Sequence, residues 1–350
     1  MVTNNTKEDK RACSKATEDT PDYGSKEYWD QRYKNQGNEP DENAPLPGHE
    51  WYFSYDELQP LLMPLAQSVL EEMKDASSLT VLEIGCGDRP IGHLFAQDIR
   101  NQSTTSIFVT ALCTDYSAAV IDILQSKQNQ VHDPPVSKKL KLEHDSATSD
   151  TKISSSLQVK YEVIDATKLP YHNKSIHIVM EKGTLDAAMS DKANGLKTCH
   201  AVMAETARVL VPDGALVVVS HMNAHDGAAG MAWFQDVVLQ GLLANEQWFW
   251  EVQVHGNSDA ESSDEEADSS DECDGEGETN TDAKADDDES NHNEADQEPK
   301  HDNIKPENLG PAVYIIYKRK SRPIDHSNNE ESSEDEDLLL KQVTFDFFSY

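Results

Sequence analysis

The residues best placed for ligand chemistry are two glycines, Gly85 and Gly87, that follow a short apolar run. That run, Val81-Leu-Glu-Ile84, is typical of a strand buried on both faces of a parallel sheet. Glycines directly after a strand allow a sharp turn and let a ligand approach where a Cβ atom would block it. The apolar residues of 91–100 then recur at helical spacing. Together, strand, glycine turn and helix predict an α/β sheet that binds a nucleotide-like ligand at its carboxyl edge.

The spacing of the glycines distinguishes two kinds of ligand. A dinucleotide fingerprint has a third glycine or an alanine three residues after the second glycine, and Pro90 occupies that position. A nicotinamide-dependent dehydrogenase is therefore disfavoured. The pattern Glu83-x-Gly85-x-Gly87 instead resembles the first motif of class I S-adenosylmethionine (SAM) methyltransferases.

Asp115 is the next candidate, because it follows a predicted strand at 107–113. A carboxylate at the tip of the strand beside the glycine turn can accept hydrogen bonds from both hydroxyls of a ribose. Ser117 offers an alternative interpretation, in which this segment is simply the N-cap of the following helix. We favour ribose binding.

Further predicted elements complete the sheet that positions these residues. Strands at 158–164 and 175–180 end at Asp165-Ala166 and at Glu181-Lys182. Apolar residues at helical spacing between 58 and 73 predict a helix, which Pro60 and Pro64 should delay or kink. The rest of the pattern is a helix from about 196, a buried strand at 215–219, a helix at 228–243 and a hairpin of strands at 248–254 and 311–320.

The net charge of −35 is concentrated in two stretches of the 350-residue chain. Residues 257–300 hold nineteen acidic residues against two lysines, and residues 323–350 hold eight against one lysine. The remainder is only mildly acidic, so bulk charge gives no indication of nucleic-acid binding. We expect no direct nucleic-acid partner and a monomeric protein.

Cysteine usage and hydropathy bear on the compartment. The five cysteines form no CxxC pair, which favours a reducing environment and gives no metal-ligand spacing. The first twenty-five residues lack the apolar core of a signal peptide, and no apolar run approaches the roughly 18 residues of a membrane span. These features predict a soluble, cytoplasmic protein without a membrane partner.

Several longer strings occur together and carry a family resemblance. These strings are Tyr28-Trp-Asp-Gln-Arg-Tyr33, Glu83-Ile-Gly-Cys-Gly87, Asp115-Tyr-Ser117, Glu181-Lys-Gly-Thr-Leu-Asp-Ala187 and Glu205-Thr-Ala-Arg-Val-Leu-Val-Pro212. In this combination the chain resembles the methyltransferase-like 13 group of seven-β-strand (class I) SAM-dependent methyltransferases. Members of that group include elongation factor 1A lysine methyltransferases and a citrate synthase lysine methyltransferase, and the likeness is greatest to the elongation factor 1A lysine methyltransferase 4 branch.

The resemblance implies a fold, a cofactor and roles for particular residues. The fold would be a Rossmann-like, seven-stranded, mostly parallel sheet that ends in an antiparallel β-hairpin, and the cofactor would be SAM. Apart from the resemblance, a lysine must lose a proton before it can be methylated, and we expect Glu181 to be an electrostatic or proton-accepting partner at the reactive end of the cofactor. The residues implied in cofactor binding are Trp29, Tyr33, Trp51, Gly85, Gly87, Asp115, Tyr116, Asp165, Ala166 and Lys182.

The activity implied is methyl transfer from SAM to a lysine of a protein, with elongation factor 1A or another cytosolic protein as substrate. Two alternatives stay open from the sequence. A small-molecule methyltransferase would share the cofactor residues, and a non-enzymatic binding protein would use the acidic stretch as its working part. The expected organisation is a disordered segment at 1–25, a methyltransferase domain at 26–322 with inserted loops at 128–157 and 255–308, and an acidic tail at 323–350.

Overall fold

The secondary structure comes from a computed structural model that describes residues 21–35, 49–73, 77–103, 106–132, 156–225, 227–244, 248–257, 310–320 and 342–349. The strands are β1 (Ser78–Ile84), β2 (Phe108–Asp115), β3 (Ser156–Val163), β4 (Ile176–Lys182), β5 (Leu210–Ser220), β6 (Phe249–His255), β7 (Ala312–Arg319) and β8 (Val343–Phe348). The helices are α1 (Lys26–Lys34), α2 (Tyr55–Glu72), α3 (Gly92–Gln102), α4 (Ala118–His132), α5 (Thr184–Met189), α6 (Gly195–Val209), α7 (Gly227–Trp233) and α8 (Gln240–Leu242). A π-helical segment, Phe234–Leu239, joins α7 to α8.

All eight strands form one sheet in the order β3-β2-β1-β4-β5-β7-β6-β8. Strands β1 to β5 pair in parallel, whereas β7 runs antiparallel to both β5 and β6. This arrangement confirms the predicted Rossmann-like, mostly parallel sheet with an antiparallel hairpin. The chain reverses its direction of travel across the sheet between β1 and β4. In open α/β sheets, ligands bind at such a switch point, outside the carboxyl ends of the strands.

Helices cover both faces of the sheet, which explains why its central strands are continuously apolar. Helices α2 and α3 pack on one face through side chains such as Leu62 and Phe95, both fully buried. Helix α6 and the π-helical segment pack on the other face through Met203 and Phe234, which are also fully buried. The core is therefore divided into two apolar layers with the sheet between them.

Helix α2 begins at Tyr55 even though Pro60 and Pro64 lie inside it. The sequence predicted a helix that starts late or is kinked, and of these two alternatives the late start is wrong. A capping box explains this: the Ser54 hydroxyl and the Glu57 carboxylate each accept a hydrogen bond from the other residue's backbone N–H. This reciprocal cap fixes the first turn ahead of the prolines.

Strand β8 extends the sheet beyond the seven predicted strands. It pairs in parallel with β6, from Trp250 opposite Val343 to His255 opposite Phe348. These residues belong to the acidic tail predicted at 323–350, but apolar residues at 343, 345 and 347 alternate as they do in a strand. The sheet therefore continues past residue 322. The rest of the predicted organisation stays a prediction, because residues 1–20, 133–155, 258–309 and 321–341 lie outside the described ranges.

Within the described ranges, no helix is both long and apolar enough to cross a bilayer.

Candidate cofactor-binding and catalytic site

A cavity of about 360 Å³ lies at the carboxyl ends of β1 to β4. This volume is within the range of sites that bind small molecules, which runs from about 300 to 1,000 Å³. The glycine turn, the ends of β2 and β3 and the β4–α5 turn form its floor, and its walls come from α1, residues 49–52, helices α5 and α6, and His221. All ten residues predicted to bind the cofactor line this cavity.

The glycine turn packs directly against the β4–α5 turn. Gly85 has φ +63° and Gly87 has φ +56°, both in the left-handed region that favours glycine. A Cβ atom on Gly85 would lie 2.1 Å from Oγ1 of Thr184, whose hydroxyl donates a hydrogen bond of 3.0 Å to the carbonyl of Ile84. Both the backbone conformation and the lack of space therefore require glycine at residue 85.

Glu83 supports the turn from beneath. Its two carboxylate oxygens accept hydrogen bonds from the amides of Ile91, at 3.0 Å, and Gly92, at 2.9 Å. These bonds tie β1 to the first turn of α3, where amide groups otherwise lack partners. Burial raises the pKa of Glu83 to about 7, even though the two amides act to lower it.

Asp115 joins the end of β2 to the glycine turn. Its Oδ2 accepts from the Gly87 amide at 3.1 Å, and its Oδ1 accepts from the Ser117 amide at 2.8 Å. Burial raises the pKa of Asp115 to about 6. The hydroxyl of Ser117 donates instead to Asp30 of α1, at 2.6 Å, which docks α1 beside Tyr116. Asp115 is thus a lining carboxylate that also organises the turns on both sides of it.

Asp165 and Ala166 lie in the turn after β3, at the edge of the cavity. The Oδ1 atom of Asp165 accepts from both the amide, at 2.9 Å, and the hydroxyl, at 2.7 Å, of Thr167. These bonds hold the carboxylate in place by its own turn. The structure therefore presents an oriented hydrogen-bond acceptor at this edge.

Aromatic side chains from the N-terminal region cover the cavity. Trp29 stacks on Tyr33 with 5.8 Å between ring centroids, and it meets Trp51 edge-on at 6.2 Å. The indole N–H of Trp29 donates a hydrogen bond of 2.7 Å to the Tyr23 carbonyl. Of the three aromatic residues implied in cofactor binding, Trp29 therefore contacts the other two, Tyr33 and Trp51.

Lys182 lines the cavity, but its ammonium group is engaged by residues 49–53, which we call the strap. It donates to the Glu50 carboxylate and to the carbonyls of Trp51 and Phe53, both at 3.0 Å. Arg89 also approaches Glu50, with 3.6 Å between Nη1 and Oε2. The contacts of Lys182 are those of an anchor for the strap.

Glu181 is the predicted site residue that does not line the cavity. It is 2% exposed, and its Oε2 accepts from the amides of Thr184, at 2.9 Å, and Leu185, at 3.1 Å. Burial, reinforced by the nearby charge of Asp186, raises the pKa of Glu181 to about 8. The carboxyl group thus lies behind the β4–α5 turn, separated from the cavity by it.

Among the lining residues that were not predicted from the sequence, three form one hydrogen-bonded cluster: Tyr52, Asp186 and His221. The Tyr52 hydroxyl donates to Asp186 at 2.8 Å, and Nδ1 of His221 lies 3.2 Å from the same carboxylate oxygen. Asp186 was visible inside the string 181–187, and His221 directly follows a buried strand. Tyr52 has φ +60°, an unfavourable conformation for an aromatic residue that its contacts at the cavity maintain.

Comparison with curated proteins identifies relatives of one kind. A citrate synthase-lysine N-methyltransferase, mitochondrial, from Danio rerio is 24% identical over 212 residues, which cover 60% of this chain and 70% of that protein. The EEF1A lysine methyltransferase 4 of Mus musculus is 26% identical over 58% of this chain and 63% of its own length. An eEF1A lysine and N-terminal methyltransferase of Xenopus laevis is 26% identical over 67% of this chain, but only 25% of that protein is covered.

Other comparisons add little. No protein-family model matches the chain. Among solved structures, a SAM-dependent methyltransferase from Methanosarcina mazei is 11% identical with a TM-score of 0.36, covering 71% of this chain and 96% of that chain. The assignment of the fold therefore depends on the strand order.

The resemblance predicted from the sequence is confirmed by these relatives. The chain is similar to class I SAM-dependent methyltransferases that act on lysine, and SAM is the cofactor that this similarity indicates. One of the relatives is named as mitochondrial, so the cytoplasmic location stays a prediction. Monomeric state and the absence of a nucleic-acid partner also stay predictions.

Proposed function

We propose that this chain transfers the methyl group of SAM to the side-chain amine of a lysine in a protein. The observation that carries the proposal is the charge of the cavity. Its lining includes seven carboxylate residues against two basic residues, Arg89 and Lys182, and both basic residues approach one of those carboxylates, Glu50, which leaves six others. Such a site favours cations, which suits both a sulfonium and a substrate ammonium.

The residues present fit SAM as a ligand. Gly85 and Gly87 leave room beside β1 that side chains would fill, and Asp115 supplies an acceptor suited to ribose hydroxyls. Asp165 is a fixed acceptor suited to an adenine amino group. The aromatic cover of Trp29, Tyr33 and Trp51 suits a sulfonium, because aromatic faces attract cations. When bound, SAM would supply an electrophilic methyl group.

The chain's own residues would then position the substrate amine against the methyl donor and shield both from solvent. Aligning a neutral amine with a methyl donor turns an encounter of two molecules into a reaction within one complex, which contributes several kcal/mol to the barrier reduction. The strap anchored by Lys182 closes the cavity on one side. Next to the strap, the rim carries His221, which contacts Tyr52 and whose side chain is 58% exposed, so a long side chain from another protein has a way in there.

Elongation factor 1A is the substrate that we infer from two of the relatives, whose names state that they methylate it. Citrate synthase is the substrate named for the other relative. An open rim favours a protein over a metabolite, because an enzyme for a metabolite gains from enclosing it. Neither substrate is fixed at 24–26% identity.

The test is methylation of separate substrates by the purified chain with methyl-labelled SAM. The substrates are elongation factor 1A, citrate synthase and a panel of small amines and hydroxylated metabolites. We expect label on a lysine of elongation factor 1A. Label on citrate synthase alone would correct the substrate, label on a metabolite alone would correct the substrate class, and no transfer with intact SAM binding would contradict the activity.

A further inference from the structure

Four side chains meet at one rim of the cavity: those of Tyr52, Asp186, Ser220 and His221. The Oδ2 atom of Asp186 accepts from the Tyr52 hydroxyl at 2.8 Å and from the His221 amide at 3.2 Å, and Oδ1 accepts from the Ser220 hydroxyl at 2.7 Å. The Asp186 side chain is 7% exposed, whereas that of His221 is 58% exposed. A nearly buried carboxylate therefore holds an imidazole that reaches solvent.

The hydrogen-bond pattern determines which nitrogen of His221 carries the proton. Its Nδ1 lies 3.2 Å from Oδ2 of Asp186 and 3.5 Å from the Tyr52 hydroxyl oxygen. The Tyr52 proton is donated to Asp186, so both neighbours present acceptors to Nδ1. Nδ1 is therefore assigned as the donor, which leaves the lone pair of the neutral ring on Nε2.

Lysine methylation needs a proton acceptor at this site for a simple reason. The unperturbed pKa of lysine is about 10.4, so roughly one side chain in a few thousand is neutral at pH 7. Carboxylates around the cavity attract the ammonium form and stabilise it further. The charge that recruits the substrate thus opposes its deprotonation, and a group that removes the proton resolves this conflict.

The groups that face His221 favour its acting as that acceptor. From the strap, the Tyr52 ring lies roughly parallel to the imidazole, with 6.3 Å between centroids. From α5, Asp186 accepts the Nδ1 hydrogen bond described above, and that bond raises the pKa of His221. From β4, Glu181 lies behind Asp186, and its pKa of about 8 leaves it mostly neutral at pH 7. Asp186 is therefore the charged partner of the ring.

We infer that Nε2 of His221 accepts a proton from the substrate ammonium, with Asp186 and Tyr52 as positioning residues that hold the imidazole. An N–H bond of the ammonium breaks, an N–H bond forms at Nε2, and the amine keeps the electron pair. The exposed imidazolium then returns the proton to water. This inference rests on the proposed methylation of a lysine.

The experiment compares the wild-type chain, His221→Gln and the control His172→Gln. His172 is an exposed histidine outside the cavity. The rate constant kcat is measured with purified elongation factor 1A from about pH 6 to about pH 10, and SAM affinity is measured by calorimetry. For His221→Gln we expect kcat to fall by about 10²–10⁴-fold at neutral pH, with the deficit shrinking toward pH 10 as the free amine becomes abundant. SAM affinity should change less than about twofold, because the cofactor contacts remain.

A second readout does not depend on turnover. Nuclear magnetic resonance of histidine-labelled protein should give His221 a pKa above its ordinary value, and Asp186→Asn should lower it. Equal losses of kcat at all pH values, or an unshifted His221 pKa in both proteins, would overturn the inference. His221→Asn repeats the test if the glutamine variant has a lowered melting temperature.

The outcomes separate this inference from the proposed function. If the wild type methylates elongation factor 1A, and His221→Gln keeps the wild-type kcat and the wild-type decline of kcat at low pH, only the role of His221 is wrong. If the wild type binds SAM but methylates no lysine, the proposed function is wrong and the inference is wrong with it.

Discussion

The amide of Gly87 donates a hydrogen bond of 3.1 Å to the carboxylate of Asp115, so the glycine turn after β1 and the acidic end of β2 form one unit. We therefore predict that Asp115→Ala weakens SAM binding for two reasons. A ribose would lose a charged acceptor worth roughly 1.5–3 kcal/mol per hydrogen bond, and the glycine turn would lose the partner of its amide. Calorimetric titration with SAM measures the effect.

The control for Asp115 is Asp122→Ala, which removes an exposed carboxylate from the helix that follows β2. Its SAM affinity should equal that of the wild type. Because the pKa of Asp115 is about 6, wild-type affinity should also decline as the pH falls below 6. Unchanged affinity in Asp115→Ala would show that this residue does not contact the ligand.

Gly85→Ala should destabilise the fold as well as the site. The new Cβ atom would lie 2.1 Å from Thr184 Oγ1, and alanine at φ +63° is strained by about 1–2 kcal/mol. Overpacking adds about 1–3 kcal/mol. The melting temperature should fall, and adding Thr184→Ala should restore part of the loss by removing the clash, with the backbone strain remaining. No restoration in the double variant would argue against a clash with Thr184.

Trp51→Ala should impair methylation and leave the fold intact. Trp51 packs against Trp29 at 6.2 Å and Tyr23 at 5.7 Å, and its side chain lies over the cavity, outside both layers of the core. Activity should fall several-fold with little change in melting temperature. Phe347→Ala serves as the control, because this 48% exposed ring lies on β8 outside the cavity. Similar losses of activity in both variants would refute a specific role for Trp51.

Glu181 predicts a pH dependence of stability. Its pKa is about 8 in the folded protein, against an ordinary value of 4.5 in the unfolded chain, so the folded state binds more protons between these values. Its contribution to stability is therefore complete below about pH 4.5 and is lost as the pH rises through about 8. Glu181→Gln should flatten the fall in melting temperature between about pH 5 and about pH 9. Glu72→Gln, at an exposed glutamate, should leave the slope unchanged, and an equal slope in Glu181→Gln would contradict this assignment.

Features that depend on local sequence were predictable. The glycine turn, Asp115 and Asp165 all directly follow apolar runs that read as parallel strands. Because the carboxyl ends of parallel strands lie at the same edge of a sheet, their position at that edge could be predicted. For Glu181 and Lys182 the sequence was not sufficient, because neighbouring residues on a strand point to opposite sides of the sheet. The pattern did not reveal which of the two would reach the cavity.

Features that depend on distant contacts were not predictable. The hydrogen bond from Tyr52 to Asp186 joins residues 134 positions apart, and the contact of Tyr52 with His221 spans 169 positions. Strand β8 was missed because its short alternating pattern follows a stretch dense in acidic residues. Its partner β6 lies nearly a hundred residues earlier, and no local signal connects them.

The most direct test of the central claim is transfer of label from methyl-labelled SAM into proteins of a host lysate, followed by mass spectrometry of the labelled protein. Wild type and Asp122→Ala should both label a protein on a lysine side chain, and Asp115→Ala should label it much more weakly at limiting SAM. Label confined to small molecules, or label in proteins that is equal with and without the wild-type chain, would contradict a protein-lysine methyltransferase.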